Sequence, residues 1–172
     1  MKNNIILLSV GAFALASCAP MMANSTTLPY TLSPQESAAT AMSSNPMSGS
    51  NGSATALIKP VGGISVTNAA ATASTVATTS TTVKLSGLLP NTYYVAHYHL
   101  MGSASTSACR SGGALIKSSM LVGQSDATGA LTLGGSVPTN DLTNATYFNV
   151  HTASDAMGTP ADAGISCTPI KF

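Results

Sequence analysis

The three histidines of the chain have a spacing that permits metal binding. His97 and His99 are two residues apart in a run of β-forming residues, and side chains at i and i+2 of a strand share a face. His151 ends a second such run, at residues 146–151. Three neutral imidazoles that converge make a site for copper or zinc. His97, His99 and His151 are therefore the candidate ligands, and the alternative for each is a surface or hydrogen-bonded imidazole.

Short β-favouring segments must position these histidines, and turn residues separate them. The segments span residues 54–59, 62–67, 80–88, 91–100, 131–135 and 146–151. Such spacing is typical of an all-β sandwich or barrel. In the segment that carries His97, we expect Tyr94, Ala96 and Tyr98 to face the core. The Thr- and Ala-rich run at 69–82 is predicted to be a strand on the solvent side.

Length and charge exclude several classes of protein. The chain has 172 residues and a mass of 17.1 kDa, which suits one domain with a shorter additional segment. Six Lys and Arg against five Asp and Glu give a net charge of +1, and only 6% of residues are charged. No basic field could hold a nucleic-acid backbone, so no nucleic-acid partner is expected.

The N-terminus is typical of an export signal. Lys2 precedes an uncharged run from Ile5 to Ser17, which is too short for a membrane-spanning helix. The sequence LASC at 15–18 resembles the bacterial lipobox, in which the cysteine carries the lipid. We therefore predict a lipoprotein signal peptide at 1–17 and lipidation of Cys18, which anchors the protein to the bacterial cell envelope. An ordinary cleaved signal is the alternative.

A flexible tether is predicted between the lipid anchor and the domain. Residues 18–53 are rich in Ser, Thr, Asn, Pro, Ala and Met, without a sustained structural period. About 35 such residues span roughly 30 to 35 Å. The β-rich domain is predicted to occupy residues 54–172.

Two cysteines remain if Cys18 is lipidated. In an exported protein, Cys109 and Cys167 are naturally interpreted as one disulfide. Reactive or metal-binding thiols are the alternative.

Several motifs resemble the copper/zinc superoxide dismutase family. They are VKLSGL at 83–88, YVAHYHLMG at 94–102 with Cys109 following, NVHTASDAMG at 149–158, and AGISC at 163–167. These stretches are similar to the H-x-H-x-x-G, V-H-x-x-x-D-D-x-G and Ala-Gly…Cys motifs of the family, in the same order, over about residues 54–172.

The resemblance implies an eight-stranded Greek-key β-barrel with one copper ion on its outer wall. It implies His97, His99 and His151 as copper ligands and a disulfide between Cys109 and Cys167. Asp155 matches an acidic residue that orients metal-bound imidazoles in the family. A solvated loop carboxylate is the alternative for Asp155.

The chain also departs from the family pattern. Leu115 stands where the family places its bridging histidine, and no fourth histidine exists, so zinc is not expected. The family's substrate-guiding arginine is missing near Gly164. Arg110 or Lys117 could lend positive charge from another direction, and ordinary surface cations are the alternative.

Three functions follow as expectations. The first is an exported, copper-only dismutase-like lipoprotein that acts on superoxide, weakened by the missing histidine and arginine. The second is a copper-binding or copper-buffering protein, in which Met101, Met120 or Met157 could stabilise Cu(I). The third is a structural module without metal.

Overall fold

Eight antiparallel strands form nearly all the regular structure that a computed structural model describes, over residues 25–35, 60–72 and 75–172. The strands are β1 (Ser25–Pro34), β2 (Val61–Ala69), β3 (Thr78–Ser86), β4 (Tyr93–Leu100), β5 (Leu121–Gln124), β6 (Leu131–Pro138), β7 (Ala145–Thr152) and β8 (Ser166–Pro169). Three single-turn 3-10 helices lie between strands, at Ala108–Arg110, Lys117–Ser119 and Thr139–Leu142.

The strands form one nearly closed barrel. Their order in the sheet is β5-β4-β7-β8-β1-β2-β3-β6. The two end strands meet because Leu121 of β5 lies over Gly135 of β6, and Leu133 of β6 lies over Gly123 of β5. β6 pairs with β3, and β7 pairs with β4, across intervening strands of the sequence. These returning connections are Greek-key connections, so the predicted eight-stranded Greek-key barrel is confirmed.

Alternation of buried and exposed side chains places the core inside the barrel. In β3 every second residue from Thr79 to Leu85 is buried, as expected for a strand with one face on the core. The ring of Tyr98 packs edge-on against Phe148 at 4.8 Å, and its hydroxyl is 2.7 Å from the Thr81 hydroxyl. The predicted core positions Tyr94, Ala96 and Tyr98 are confirmed.

Five of the predicted strand segments overlap β2, β3, β4, β6 and β7. The segment at 54–59 lies outside the described residues. The expected strand over 69–82 is wrong in its middle, because β2 ends at Ala69 and β3 begins only at Thr78. The Thr and Ala composition of that run therefore fits the two strand ends that it connects.

A strand occupies part of the predicted tether. Residues 25–32 of β1 pair with β2, and Ser33 and Pro34 pair with β8. Leu32 is 2% exposed and belongs to the core. The expectation of a flexible tether is wrong for these residues, because their paired backbone and buried leucine make them part of the barrel.

We expect the substitution Leu32→Ala to lower the free energy of unfolding by about 3 kcal/mol, because it removes a buried side chain and leaves a cavity. Thr31→Ala, on the exposed face of the same strand, is the control and is expected to stay within about 0.5 kcal/mol of wild type. Urea denaturation measures both. Equal, small effects of the two substitutions would show that β1 is not packed on the core.

Candidate metal centre

Strands β4 and β7 place three imidazoles on the outer wall of the barrel. His97 and His99 face away from the core side of β4. His97 pairs with Asn149, and His151 pairs with Val95, so His151 is the diagonal neighbour of His97 on the same face. The His97 ring centroid is 4.6 Å from that of His99 and 4.9 Å from that of His151.

The structure brings the predicted ligands together. One nitrogen from each of His97, His99 and His151, hereafter the histidine triad, lies within 4.8 Å of the other two. All three residues are buried, with exposed fractions of 1%, 8% and 6% respectively. The histidine triad could therefore hold a metal ion.

Four buried nitrogens of the histidine triad lack a hydrogen-bond partner among the described residues. They are Nδ1 and Nε2 of His97, Nε2 of His99 and Nε2 of His151. An unpaired buried polar atom costs about 1–3 kcal/mol and is uncommon in native proteins. Coordination of a metal ion by one nitrogen of each ring would satisfy three of them. The unpaired atoms thus fit a bound metal ion.

His99 is oriented by the loop that follows β4 and by its neighbour in β7. Its Nδ1 lies 2.8 Å from the Gly113 carbonyl oxygen, and its ring stacks on that of Tyr147 at 4.5 Å with an angle of 8°. This approach requires glycine at position 113, since a Cβ there would collide with the carbonyl of Leu100. With Nδ1 donating, Nε2 of His99 is left as a ligand atom.

Asp162, a residue that no sequence motif indicated, orients His151. Its backbone carbonyl accepts a hydrogen bond from His151 Nδ1 at 3.0 Å, and its Oδ1 lies 3.6 Å from the same nitrogen. Burial alone would raise the pKa of Asp162, but hydrogen bonds from His151, Thr152 and Gly164 outweigh burial and lower that pKa. The Asp162 carboxylate is therefore negatively charged at neutral pH and lies beside His151 Nδ1.

The electrostatics keep at least two of the imidazoles uncharged. Burial lowers the pKa of His97 to about 3, and the proximity of His151 and His99 adds to this effect. Burial also lowers the pKa of His99, although its hydrogen bond to Gly113 acts in the opposite direction. Neutral imidazole is the form that binds metal, so neither ring has to lose a proton at neutral pH.

The predicted orienting role of Asp155 is not what the structure shows. Its Oδ1 accepts hydrogen bonds from the backbone N–H groups of Met157 at 2.9 Å and Thr159 at 3.1 Å. Hydrogen bonds from Thr159 are also the main reason that the pKa of Asp155 is lowered. The carboxylate stabilises its own turn, as Asp side chains commonly do, and Asp162 is the residue that contacts an imidazole.

An open cleft of about 810 Å³ reaches the histidine triad. Its walls include His99, His151, Gln35 and Arg110. Arg110 is the charged residue among the described residues that line this cleft. Lys117, the second cation considered from the sequence, lies in the 3-10 helix at 117–119 and does not line it.

Leu115 lies beside one imidazole of the histidine triad. It forms an isolated antiparallel bridge with His99, and its side chain is 37% exposed. The leucine side chain has no atom that coordinates a metal. Because the chain contains three histidines and the triad contains all of them, no imidazole is left for a second ion.

The predicted disulfide between Cys109 and Cys167 is confirmed. It joins the loop after β4 to strand β8, and both cysteines line the cleft. Gln35 adds a second connection, because its Nε2 donates to the Cys109 carbonyl at 3.1 Å. The thiols are therefore not metal ligands, and the loop that carries Gly113 is fixed to the barrel.

The remaining sequence candidates either do not line the cleft or lie outside the described residues. Met101, Met120 and Met157 are 45%, 42% and 80% exposed, and none is among the described residues that line the cleft. The predicted signal peptide and Cys18 lie in residues 1–24, outside the described residues. Within the described part of the chain, no helix is long and apolar enough to cross a membrane.

No protein-family model matches the sequence, and no curated protein matches it. The assignment of a function therefore depends on the chemistry of the histidine triad and its surroundings.

Proposed function

We propose that the protein binds one copper ion at the histidine triad and acts as a copper-binding protein of the bacterial cell envelope, similar to the copper/zinc superoxide dismutase family. The observation that carries this proposal is the convergence of three buried imidazoles, each with a ring nitrogen that has no hydrogen-bond partner among the described residues. His97, His99 and His151 would hold the ion, each through one ring nitrogen.

The donor set favours copper over other divalent ions. Sites made of nitrogen ligands bind Cu(II) more tightly than Zn(II) or the earlier first-row ions. The disulfide supports an oxidising compartment outside the cytoplasm, as the lipoprotein signal predicts. The sequence motifs that resemble the copper/zinc superoxide dismutase family contain all three ligands.

Superoxide dismutation is a second candidate, and the cleft favours it. When bound, copper would supply one-electron exchange by alternating between Cu(II) and Cu(I). The chain contributes access, since the cleft opens beside His99 and His151. The chain provides no bridging imidazole at Leu115, so we expect slow turnover or none.

The test is metal analysis of the purified protein after it is stripped and reloaded. We expect about one equivalent of copper to be retained against a competing chelator, and we expect excess Zn(II) not to displace it. A superoxide consumption assay on the copper-loaded protein then separates the candidates. Copper without turnover selects copper buffering, turnover selects the enzyme, and failure to retain copper overturns the proposal in favour of a structural module.

A further inference from the structure

Asp162 presents two oxygens to one nitrogen of His151. The backbone carbonyl lies 3.0 Å from His151 Nδ1, and carboxylate Oδ1 lies 3.6 Å from it. The two side chains are only 8% and 13% exposed, for His151 and Asp162 respectively. Water therefore screens this charged contact weakly.

Backbone N–H groups hold both oxygens of the Asp162 carboxylate. The backbone N–H of Thr152 donates to Oδ2 at 3.0 Å, and the backbone N–H of Gly164 donates to Oδ1 at 2.8 Å. Gly164 adopts a φ of +121°, and a Cβ there would collide with the Asn149 amide. The position of the carboxylate is thus fixed by a backbone N–H on each of its oxygens, and Gly164 cannot be replaced by another residue without strain.

Among the described residues, no carboxylate is seen to contact the other two imidazoles of the histidine triad. His99 Nδ1 contacts the neutral carbonyl of Gly113, and neither His97 nitrogen has a partner among the described residues. The Asp162 carboxylate therefore makes His151 unlike its two neighbours. A carboxylate near the outer nitrogen of a metal-bound imidazole makes that imidazole a more basic ligand.

We propose that Asp162 is a positioning residue that holds His151 with Nε2 toward the metal and biases the site toward Cu(II) over Cu(I). This inference rests on the proposed function. The physical reason is that a nearby negative charge stabilises the ion of higher positive charge more strongly. A basic imidazole also donates better to Cu(II), the harder of the two ions.

The experiment compares Asp162→Asn with the matched control Asp155→Asn, which changes a carboxylate that contacts only its own turn among the described residues. Competition with a Cu(II) chelator and with a Cu(I) chelator gives the two affinities of each protein. In Asp162→Asn we expect the ratio of Cu(II) to Cu(I) affinity to fall about tenfold. This tenfold fall in the affinity ratio corresponds to a rise of about 59 mV in the reduction potential of the bound copper. The control should keep the wild-type ratio.

The outcomes separate this inference from the proposed function. If wild type binds no copper, both the proposed function and the role of Asp162 are overturned. If wild type binds copper and Asp162→Asn keeps the wild-type ratio, only the role of Asp162 falls. Equal losses of Cu(I) and Cu(II) affinity would show a structural role and would also overturn it.

A measurement on the wild-type protein covers the case in which the variant does not fold. In the metal-free protein, nitrogen NMR is expected to show a proton on His151 Nδ1, because this nitrogen faces the Asp162 carbonyl. An unprotonated Nδ1 would overturn the positioning role, whatever the variant does. Asp162→Ser is a second variant without the negative charge, and the serine hydroxyl can still accept a hydrogen bond from the Gly164 N–H.

Discussion

The substitution His97→Ala is expected to abolish stoichiometric copper binding and to leave the barrel folded. His97 lies between the other two imidazoles, at 4.6 Å and 4.9 Å, whereas the centroids of His99 and His151 are 6.1 Å apart. Its removal therefore leaves two separated donors in place of a converging set of three. Loss of a residue behind a ligand costs 10–100-fold in affinity, so loss of the ligand itself should exceed about 100-fold.

A metal site and a structural histidine predict different effects of the same change on the metal-free protein. His97→Ala removes two buried nitrogens that have no partner in the described part of the chain, which stabilises the fold, and leaves a cavity, which destabilises it. Because these effects oppose each other, we expect the melting temperature of the metal-free variant to stay near that of wild type. Copper should raise the melting temperature of wild type and not that of the variant.

Metal analysis and thermal melts with and without copper measure this prediction. Met157→Ala is the control, since Met157 is 80% exposed and should not affect copper uptake. Retention of one equivalent of copper by His97→Ala would contradict the assignment of the site. A large loss of stability without any change in copper uptake would indicate that His97 serves packing.

Replacement of both disulfide cysteines by serine is expected to lower the free energy of unfolding by about 4 kcal/mol. The two cysteines are separated by 58 positions, and closure of a loop of this size restricts the unfolded chain by about that amount. The described core cluster contains Tyr94, Tyr98 and Phe148 as its buried aromatic residues, and the chain has no Trp. We therefore expect much of the stability of the domain to depend on this bond.

The disulfide variant should also bind copper less tightly. Cys109 lies in the loop that leads to Gly113, whose carbonyl orients His99. Denaturant curves of the double variant and of wild type, with and without a reductant, measure stability, and chelator competition measures affinity. Reductant should weaken wild type and leave the variant unchanged. A stable variant with weak copper binding would mean that the bond serves the site more than the fold.

The metal site could be predicted from the sequence wherever a strand fixed the direction of a side chain. His97 and His99 share a face because they are two residues apart in β4. His151 joins them because β7 pairs with β4 in a register that places it diagonal to His97. That register depends on the whole barrel. The ligand residues and their motifs could therefore be recognised in the sequence, whereas the distances between the imidazoles could not be predicted without the fold.

Asp162 and Asp155 lie in a loop, where the contacts of a side chain could not be predicted from the sequence. A motif pointed to Asp155, but the loop closes on itself there, and its carboxylate meets the N–H groups of Met157 and Thr159. Asp162 reaches His151 because the chain returns across β7 eleven residues later. No periodicity encodes the path of a loop, so its contacts could not be predicted.

Strand β1 was missed for a compositional reason, although a signal was present. Ser, Thr and two prolines dominate it. Among the described residues, its residues 25–32 pair only with β2, and a strand without a second partner tolerates proline. Leu28, Tyr30 and Leu32 alternate with more exposed residues, and this short period of two was the available signal.

The place of β1 in the barrel changes how near the protein would lie to a membrane. Six residues separate Cys18 from Ser25, and a fully extended chain across that interval spans at most about 25 Å. If Cys18 carries a lipid, as we propose, the start of β1 would lie within about 25 Å of the bilayer surface. The headgroup layer would then limit the directions from which copper or superoxide reaches the cleft.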